Sequence, residues 1–285
     1  MKETNEKICV VGAGTMGWGI AQVFAAAGYG VCLSDQTKEA AERGKAAMTK
    51  GLARLVDKGK MTQENCDALL ARVEPGVIAD VDPNCVLAIE AVFESMDVKK
   101  AVFKELEEKL SPQALLATNT SSLSVTEIGA NLKDPSRFVG MHFFNPAPVM
   151  ALVEVIGGDK TSKETLDATY ELAKNLGKTP VRVDEAPGFV VNRILIPMIN
   201  EAVGILAEGV ATAEDIDVAM KLGANHPLGP LQLGDLIGLD VCLAIMEVLH
   251  AEMGEDKYRP HPLLRKKVRA GSLGRKTGQG FYTYS

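Results

Sequence analysis

The sequence predicts a doubly wound α/β domain on a mostly parallel sheet, followed by a smaller all-helical domain. Three observations predict it. Short β-rich runs alternate with helix-like segments over the first two thirds of the chain. Those runs are almost continuously apolar, as strands buried on both faces of a parallel sheet are. After Ala186-Pro187-Gly188, strand-like runs cease.

In order, residues 8–11, 29–34, 87–91, 115–118 and 138–142 read as strands, too short for independent helices and several rich in Val or Ile. Between them, residues 16–27, 38–58, 97–110 and 125–130 read as helices. Two further strands, 152–156 and 179–183, flank a helix at 162–176 that Thr161 or Ser162 can cap and Gly177 can end. From Phe189 to Met253 the pattern is helical throughout, with Pro197 predicting a kink in the first helix. Thr212-Ala-Glu-Asp215 can cap a helix at 216–222, and a Gly/Pro-dense loop at 225–230 precedes an apolar helix around 240–251. The domains are therefore placed at 1–186 and 187–285.

The 285 residues are 46% hydrophobic, ample for a buried core, and the net charge of −6 argues against nucleic acid or an anionic membrane as main partner. The polar start lacks the apolar stretch of a secretory signal, and no run approaches the ~18 apolar residues of a membrane span. Cys9, Cys32, Cys66, Cys85 and Cys242 are scattered and without paired spacing, as expected of reduced thiols in a cytoplasmic protein. No metal-ligand spacing occurs, so no metal is expected.

The sharpest local signal is Lys7-Ile-Cys-Val-Val-Gly12-Ala-Gly14-Thr-Met-Gly17, an apolar strand running through a Gly-x-Gly-x-x-Gly turn into an Ala-rich helix that ends at Gly28. Gly12 permits the tight turn, Gly14 removes the Cβ that would collide with a pyrophosphate, and Gly17 lets helix and sheet approach. The helix N-terminus then offers amides to phosphates, so the domain is expected to be of the Rossmann, dinucleotide-binding type. A ligand-free glycine turn is the rival reading. Asp35 closes the second strand, where a carboxylate can accept hydrogen bonds from an adenosine ribose. It would repel a 2′-phosphate and no arginine follows directly, which favours NAD over NADP, with Lys38 the residue that speaks for NADP. Asp35 can equally serve as a turn former or helix cap.

Thr118-Asn119-Thr120-Ser121-Ser122 follows an apolar strand, and His142 ends another before Phe143-Phe144-Asn145-Pro146. Glu154 is a lone carboxylate inside Leu152-Val-Glu154-Val-Ile156, and charges are rarely buried unpaired. A buried imidazole–carboxylate pair can take a proton from a hydroxyl as hydride leaves carbon. Pattern alone leaves open whether Glu154 points outward and His142 is an ordinary core histidine. His226, His250 and His261 have no comparable partner in the sequence.

Gly12-x-Gly14-x-x-Gly17, Asn119-Thr-Ser121-Ser122, His142-Phe-Phe-Asn145-Pro146, Glu154, Pro187-Gly-Phe-Val-Val-Asn192-Arg193 and Gly274-Arg-Lys-Thr-Gly-Gln-Gly-Phe-Tyr282 occur in this order. The chain resembles the short-chain L-3-hydroxyacyl-CoA dehydrogenases essentially end to end, with particular similarity to their bacterial 3-hydroxybutyryl-CoA branch. The resemblance favours the catalytic reading of the pair. It implies His142 and Glu154 as the acid/base dyad and Ser121 and Asn192 as substrate-oxygen contacts. It also implies a cofactor set of Gly12, Gly14, Thr15, Met16, Gly17, Asp35, Glu94, Lys99, Asn119, Ser121, Asn145 and Lys276. The implied reaction interconverts 3-hydroxybutyryl-CoA and acetoacetyl-CoA with NAD(H), and the helical domain would serve the substrate cleft and a homodimer.

Lys50, Arg54 and Lys58 recur at helical spacing, a stripe suited to CoA phosphates or simply a solvated face. Leu228, Leu231, Leu233, Leu236, Ile237, Leu239 and Val241 crowd one short span, an apolar surplus that points to a subunit interface. Two other readings stand beside the first: a hydroxyacid or sugar-acid dehydrogenase using the same dyad without CoA, and a non-catalytic NAD-binding protein. The residues do not reveal the direction of the reaction or the acyl length.

Overall fold

The computed structural model describes residues 4–284, which form two compact units divided between Glu185 and Ala186. Among the described residues, unit 1 holds β1 (Lys7–Val11), β2 (Gly30–Ser34), β3 (Val73–Gly76), β4 (Leu87–Glu90), β5 (Leu115–Thr118), β6 (Phe138–Phe143), β7 (Leu152–Gly157) and β8 (Thr179–Asp184). They form one sheet in the order β3-β2-β1-β4-β5-β6-β7-β8. Its first six members have the doubly wound order, with the reversal between β1 and β4 that opens a crevice over their carboxyl ends.

All neighbours are parallel except β6 and β7. The stretch between Phe143 and Leu152 is too short for the dozen or more residues a parallel crossover needs, so the chain turns back on itself. On one face, Ile8, Val10 and Leu33 meet Ile20 and Phe24 of α1 (Thr15–Ala26) and Met48 and Leu52 of α2 (Lys38–Asp57), all fully buried. Each such side chain contributes on the order of 1.5–3 kcal/mol by leaving water. On unit 1 the remaining helices are α3 (Gln63–Ala71), α4 (Met96–Lys109), α5 (Val125–Gly129) and α6 (Lys163–Asn175), the last capped by Ser162 accepting from the Thr165 amide.

In unit 1, one strand and one α-helix are absent from the sequence reading. β3 is written Val-Glu-Pro-Gly, a poor strand by composition, and it forms because it lies at the sheet edge, where Pro75 need not donate. The helix α3 begins at Thr62, whose side chain accepts from the Asn65 amide at 3.2 Å, a cap with little apolar periodicity behind it.

Unit 2 consists of α7 (Val191–Ala207), α8 (Ala213–Gly223), α9 (Pro230–Ile237), α10 (Leu239–Met253) and α11 (Pro262–Arg269) with short 3₁₀ turns. Pro197 lies inside α7, which continues through it as one helix. The Gly/Pro-rich loop leads into α9, with Pro230 at the first turn where its missing N–H costs nothing. The apolar surplus expected at a subunit interface is mostly the unit's own core. Leu231 and Leu239 are fully buried, and Leu233 and Ile237 pack against a buried cluster, leaving Leu236 and Val241 exposed. Packed helices can bury a leucine from several sides, which one-dimensional spacing does not show.

The Gly274–Tyr282 motif also has a structural explanation. Buried Asp235 accepts hydrogen bonds from the Phe281 and Tyr282 amides, both at 2.9 Å, and from the Tyr284 hydroxyl. A Cβ at Gly280 would lie 1.9 Å from its carboxylate. Among the described residues, no helix is long and apolar enough to cross a membrane.

The five cysteines are free thiols. Cys9 and Cys32 are lateral partners on β1 and β2, and hydrogen bonding from Cys9 lowers the Cys32 thiol to about 7, against the opposing effect of burial. Burial pushes Cys66, Cys85 and Cys242 up. Cys32 should therefore be alkylated first by iodoacetamide at neutral pH. Peptide mass mapping showing equal rates for all five would contradict this.

Candidate active site

The glycine turn is built as its spacing predicts. Gly12 adopts φ +97°, and a Cβ there would meet the Ala91 carbonyl oxygen at 2.6 Å, while one on Gly17 would fall 1.6 Å from the Gly12 oxygen. At Gly14 a Cβ would meet nothing within 4 Å, so space lies open in front of the turn. The first turn of α1 has no side-chain cap and no acidic residue, which leaves its amides facing that space. These features fit a dinucleotide pyrophosphate. Thr15 is exposed and Met16 half-buried at the mouth of the turn.

Asp35 Oδ2 accepts from the Ala13 amide at 2.7 Å, so the carboxylate that ends β2 also fastens the glycine turn. Each carboxylate oxygen can accept more than one hydrogen bond, so this leaves capacity for a ribose. Gly44 is a residue the sequence reading missed. A Cβ there would stand 2.5 Å from the Ala13 oxygen, so this glycine, unlike Gly51 of the same helix, brings α2 against the turn. A helix-interior glycine at a cost of ~1 kcal/mol was the available signal.

The next two carboxyl ends carry a polar network. Glu90, ending β4, is fully buried. Its Oε1 accepts from the Lys99 ammonium and the Val92 amide, both at 2.7 Å, and its Oε2 accepts from the Thr118 hydroxyl at 2.8 Å. Burial pushes the Glu90 carboxyl up against the lowering effect of Lys99 and these hydrogen bonds. Lys99 also pairs with Glu94 at 3.1 Å. Glu94 Oε1 in turn accepts from the Thr120 hydroxyl, from the Ser121 amide at 3.0 Å and from the Ser122 amide at 3.2 Å. Burial works against it, but Lys99 and these donors hold the Glu94 carboxyl below its ordinary value.

Lys99, expected at the cofactor, is 1% exposed, with its ammonium between two carboxylates. Burial keeps its ammonium off the open surface, bonded to Glu90 and Glu94. Glu90 escaped the sequence reading, although a lone carboxylate ending an apolar strand was the same signal that marked Glu154.

His142 and Glu154 meet directly. They are cross-strand partners in the antiparallel β6–β7 pair, with Nδ1 and Oε2 2.8 Å apart. His142 is 5% and Glu154 1% exposed, so the outward-pointing alternative is excluded. The Phe144 ring lies 4.4 Å from the imidazole, centroid to centroid. Asn119 Oδ1 accepts from the Phe143 amide at 2.8 Å, tying the Ser121 turn to the strand end beside His142. Asn145 is exposed just beyond. A buried carboxylate bonded to Nδ1 fixes the imidazole tautomer and stabilises its charged form, leaving the opposite nitrogen to exchange protons.

Lys50, Arg54 and Lys58 are exposed along α2 and its C-cap. In unit 2, Asn192 is buried in the first turn of α7, and the Lys276 ammonium pairs with Asp240 at 2.6 Å. Of the remaining histidines, His261 caps α11 by accepting from the Leu263 amide.

Comparison with known proteins agrees with this architecture. Residues 7–186 match the model of the 3-hydroxyacyl-CoA dehydrogenase NAD binding domain, and residues 188–284 that of the 3-hydroxyacyl-CoA dehydrogenase C-terminal domain. A 3-hydroxybutyryl-CoA dehydrogenase from Clostridioides difficile is 56% identical over 279 residues, covering 98% of this chain and 99% of that one. Another, from Bradyrhizobium diazoefficiens, is 48% identical, covering 100% of this chain and 97% of that one. The crystal structure of (S)-3-hydroxybutyryl-CoA dehydrogenase from Ralstonia eutropha superposes with a TM-score of 0.94 at 48% identity, covering 99% of this chain and 100% of that one. With a matching dinucleotide turn, a paired histidine and glutamate, and both domain models satisfied in order, the chain belongs to the 3-hydroxyacyl-CoA dehydrogenase family.

Proposed function

We propose that this enzyme interconverts (S)-3-hydroxybutyryl-CoA and acetoacetyl-CoA reversibly with NAD(H). The observation that carries the proposal is the buried His142–Glu154 pair beside the Ser121 turn. The names of the nearly full-length relatives support the substrate. When bound, the nicotinamide supplies or accepts the hydride. His142 Nε2, the nitrogen not held by Glu154, takes the proton of the substrate hydroxyl in oxidation and returns it to the carbonyl oxygen in reduction. Glu154 stabilises the imidazolium formed between these steps.

Ser121 donates a hydrogen bond to the same oxygen as it gains negative charge. The same reading gives Asn192 a second contact to that oxygen. Gly12, Gly14, Thr15, Met16, Gly17, Asp35, Glu94, Asn119, Asn145 and Lys276 are assigned to the cofactor, with Asp35 favouring NAD over NADP. The decisive assay follows NADH absorbance with acetoacetyl-CoA and with free acetoacetate. The CoA ester should react at least ~100-fold faster in kcat/KM, because binding energy from the remote carrier lowers the barrier at the carbonyl. Equal rates would overturn the CoA assignment.

Lys50, Arg54 and Lys58 are proposed to receive the CoA phosphates. Replacing all three by alanine should raise KM for acetoacetyl-CoA about tenfold at low ionic strength, leave kcat nearly unchanged, and lose its effect as salt screens the charges. An unchanged KM at low salt would return the stripe to an ordinary solvated face.

The enzyme is further proposed to be a cytoplasmic homodimer associating through unit 2, which exposes Val210, Val218, Leu222, Leu236 and Val241. Sedimentation at micromolar concentration should give twice the chain mass. A Leu222→Glu/Val218→Glu variant that sediments as the unaltered protein does would remove this face from the interface.

A further inference from the structure

We propose that Glu90 is a positioning residue for Ser121, holding the 118–122 turn from beneath by two separate arms. The inference rests on the reading of Ser121 as a substrate contact. The first arm runs through Thr118, whose hydroxyl donates to Glu90 Oε2 at 2.8 Å and accepts from the Thr120 amide at 3.2 Å. The second runs through Lys99, which joins Glu90 at 2.7 Å to Glu94 at 3.1 Å, and Glu94 then receives the Ser121 and Ser122 amides. The two arms converge on one short turn.

A buried ion pair is weak evidence for stability, because desolvation offsets most of the Coulombic gain. Its value here is geometric. Lys99 is 1% exposed and bonded at both sides, so the Glu94 carboxylate is fixed at its Oε2 end while its other oxygen orders the turn. An ammonium without Glu90 behind it would be drawn fully onto Glu94 and away from its present place. Glu90 also accepts from the Val92 amide, which fixes the loop that carries Glu94. The carboxylate thus sets both the turn and the clamp that holds it.

The test is the paired variant Glu90→Gln/Lys99→Met, which removes one buried anion with one buried cation and leaves the local net charge unchanged. In the free protein, hydrogen exchange at the Ser121 and Ser122 amides should accelerate about tenfold or more, since their acceptor is no longer held. kcat with acetoacetyl-CoA should fall about tenfold while KM changes less than threefold, as expected of a misplaced reacting geometry.

In a Ser121→Ala background the same pair should cost less than about a further twofold, because effects that act through one residue are not additive. Unchanged exchange, or a full additional loss in the Ser121→Ala background, would overturn the proposal. If Ser121→Ala itself leaves kcat intact, the substrate contact fails, and the exchange result still decides whether Glu90 positions the turn. Should the paired variant not fold, Thr118→Val cuts the first arm alone. It should raise exchange at the Thr120 amide severalfold without altering the Glu94 clamp, and protection equal to that of the unaltered protein would refute that arm.

Discussion

Replacing His142 by glutamine should lower kcat for acetoacetyl-CoA reduction by about three orders of magnitude, within the ~10²–10⁴ that positioned proton transfer contributes. Glutamine fills a similar volume and can still hydrogen-bond to Glu154, so the change removes the proton carrier and little else. NADH affinity and thermal midpoint should stay close to those of the unaltered enzyme. Glu154→Gln tests the other half of the pair. It leaves the imidazolium without its counter-charge and frees the ring to adopt the wrong tautomer, so kcat should fall by a similar factor. Because the two residues bond at 2.8 Å and are both buried, the double variant should be scarcely worse than either single one. Steady-state rates of the three variants settle the matter, and a His142→Gln enzyme of full activity would end the mechanism.

Alanine at the three glycines of the turn should separate folding from binding. Gly17→Ala sets a Cβ 1.6 Å from the Gly12 oxygen and Gly12→Ala sets one 2.6 Å from the Ala91 oxygen, at a φ of +97°. Neither obstacle is a flexible side chain, so the strand–turn–helix junction itself must shift. Both variants should lose several kcal/mol of stability or fail to accumulate as folded protein. Gly14→Ala is different, because its Cβ meets nothing within 4 Å. It should melt within a few degrees of the unaltered enzyme yet bind NADH at least ~100-fold more weakly, since the methyl group occupies the approach of the pyrophosphate. Melting curves and fluorescence titration with NADH read the two effects independently. Undiminished NADH affinity in Gly14→Ala would place the cofactor elsewhere.

Much of this protein is written in local pattern. The strands of unit 1 appear as apolar runs because both faces of a parallel sheet are covered, and the glycines mark their turn because Gly12 takes a left-handed backbone, Gly14 leaves the space before the turn open and Gly17 packs against the Gly12 oxygen. Ser162 and Thr212 signal their helices because a cap is a contact between residues three apart. His142 and Glu154 were legible as candidates, since a lone charge in an apolar strand demands a partner.

The pairing itself was decided by tertiary structure. Only the antiparallel return of β7 against β6 sets His142 opposite Glu154, and nothing in either strand encodes that register. The burial of Lys99 between Glu90 and Glu94 likewise depends on α4 lying beside the end of β4. Leu231 and Leu233 of α9 are covered within unit 2 while Leu236 stays exposed, because burial inside a helical unit depends on neighbours far along the chain. β3 exists only as the edge of a sheet formed without it. Local chemistry named the residue types and their secondary structure. Long-range packing, which acts between positions distant in sequence, chose which charges meet and which apolar faces remain at the surface.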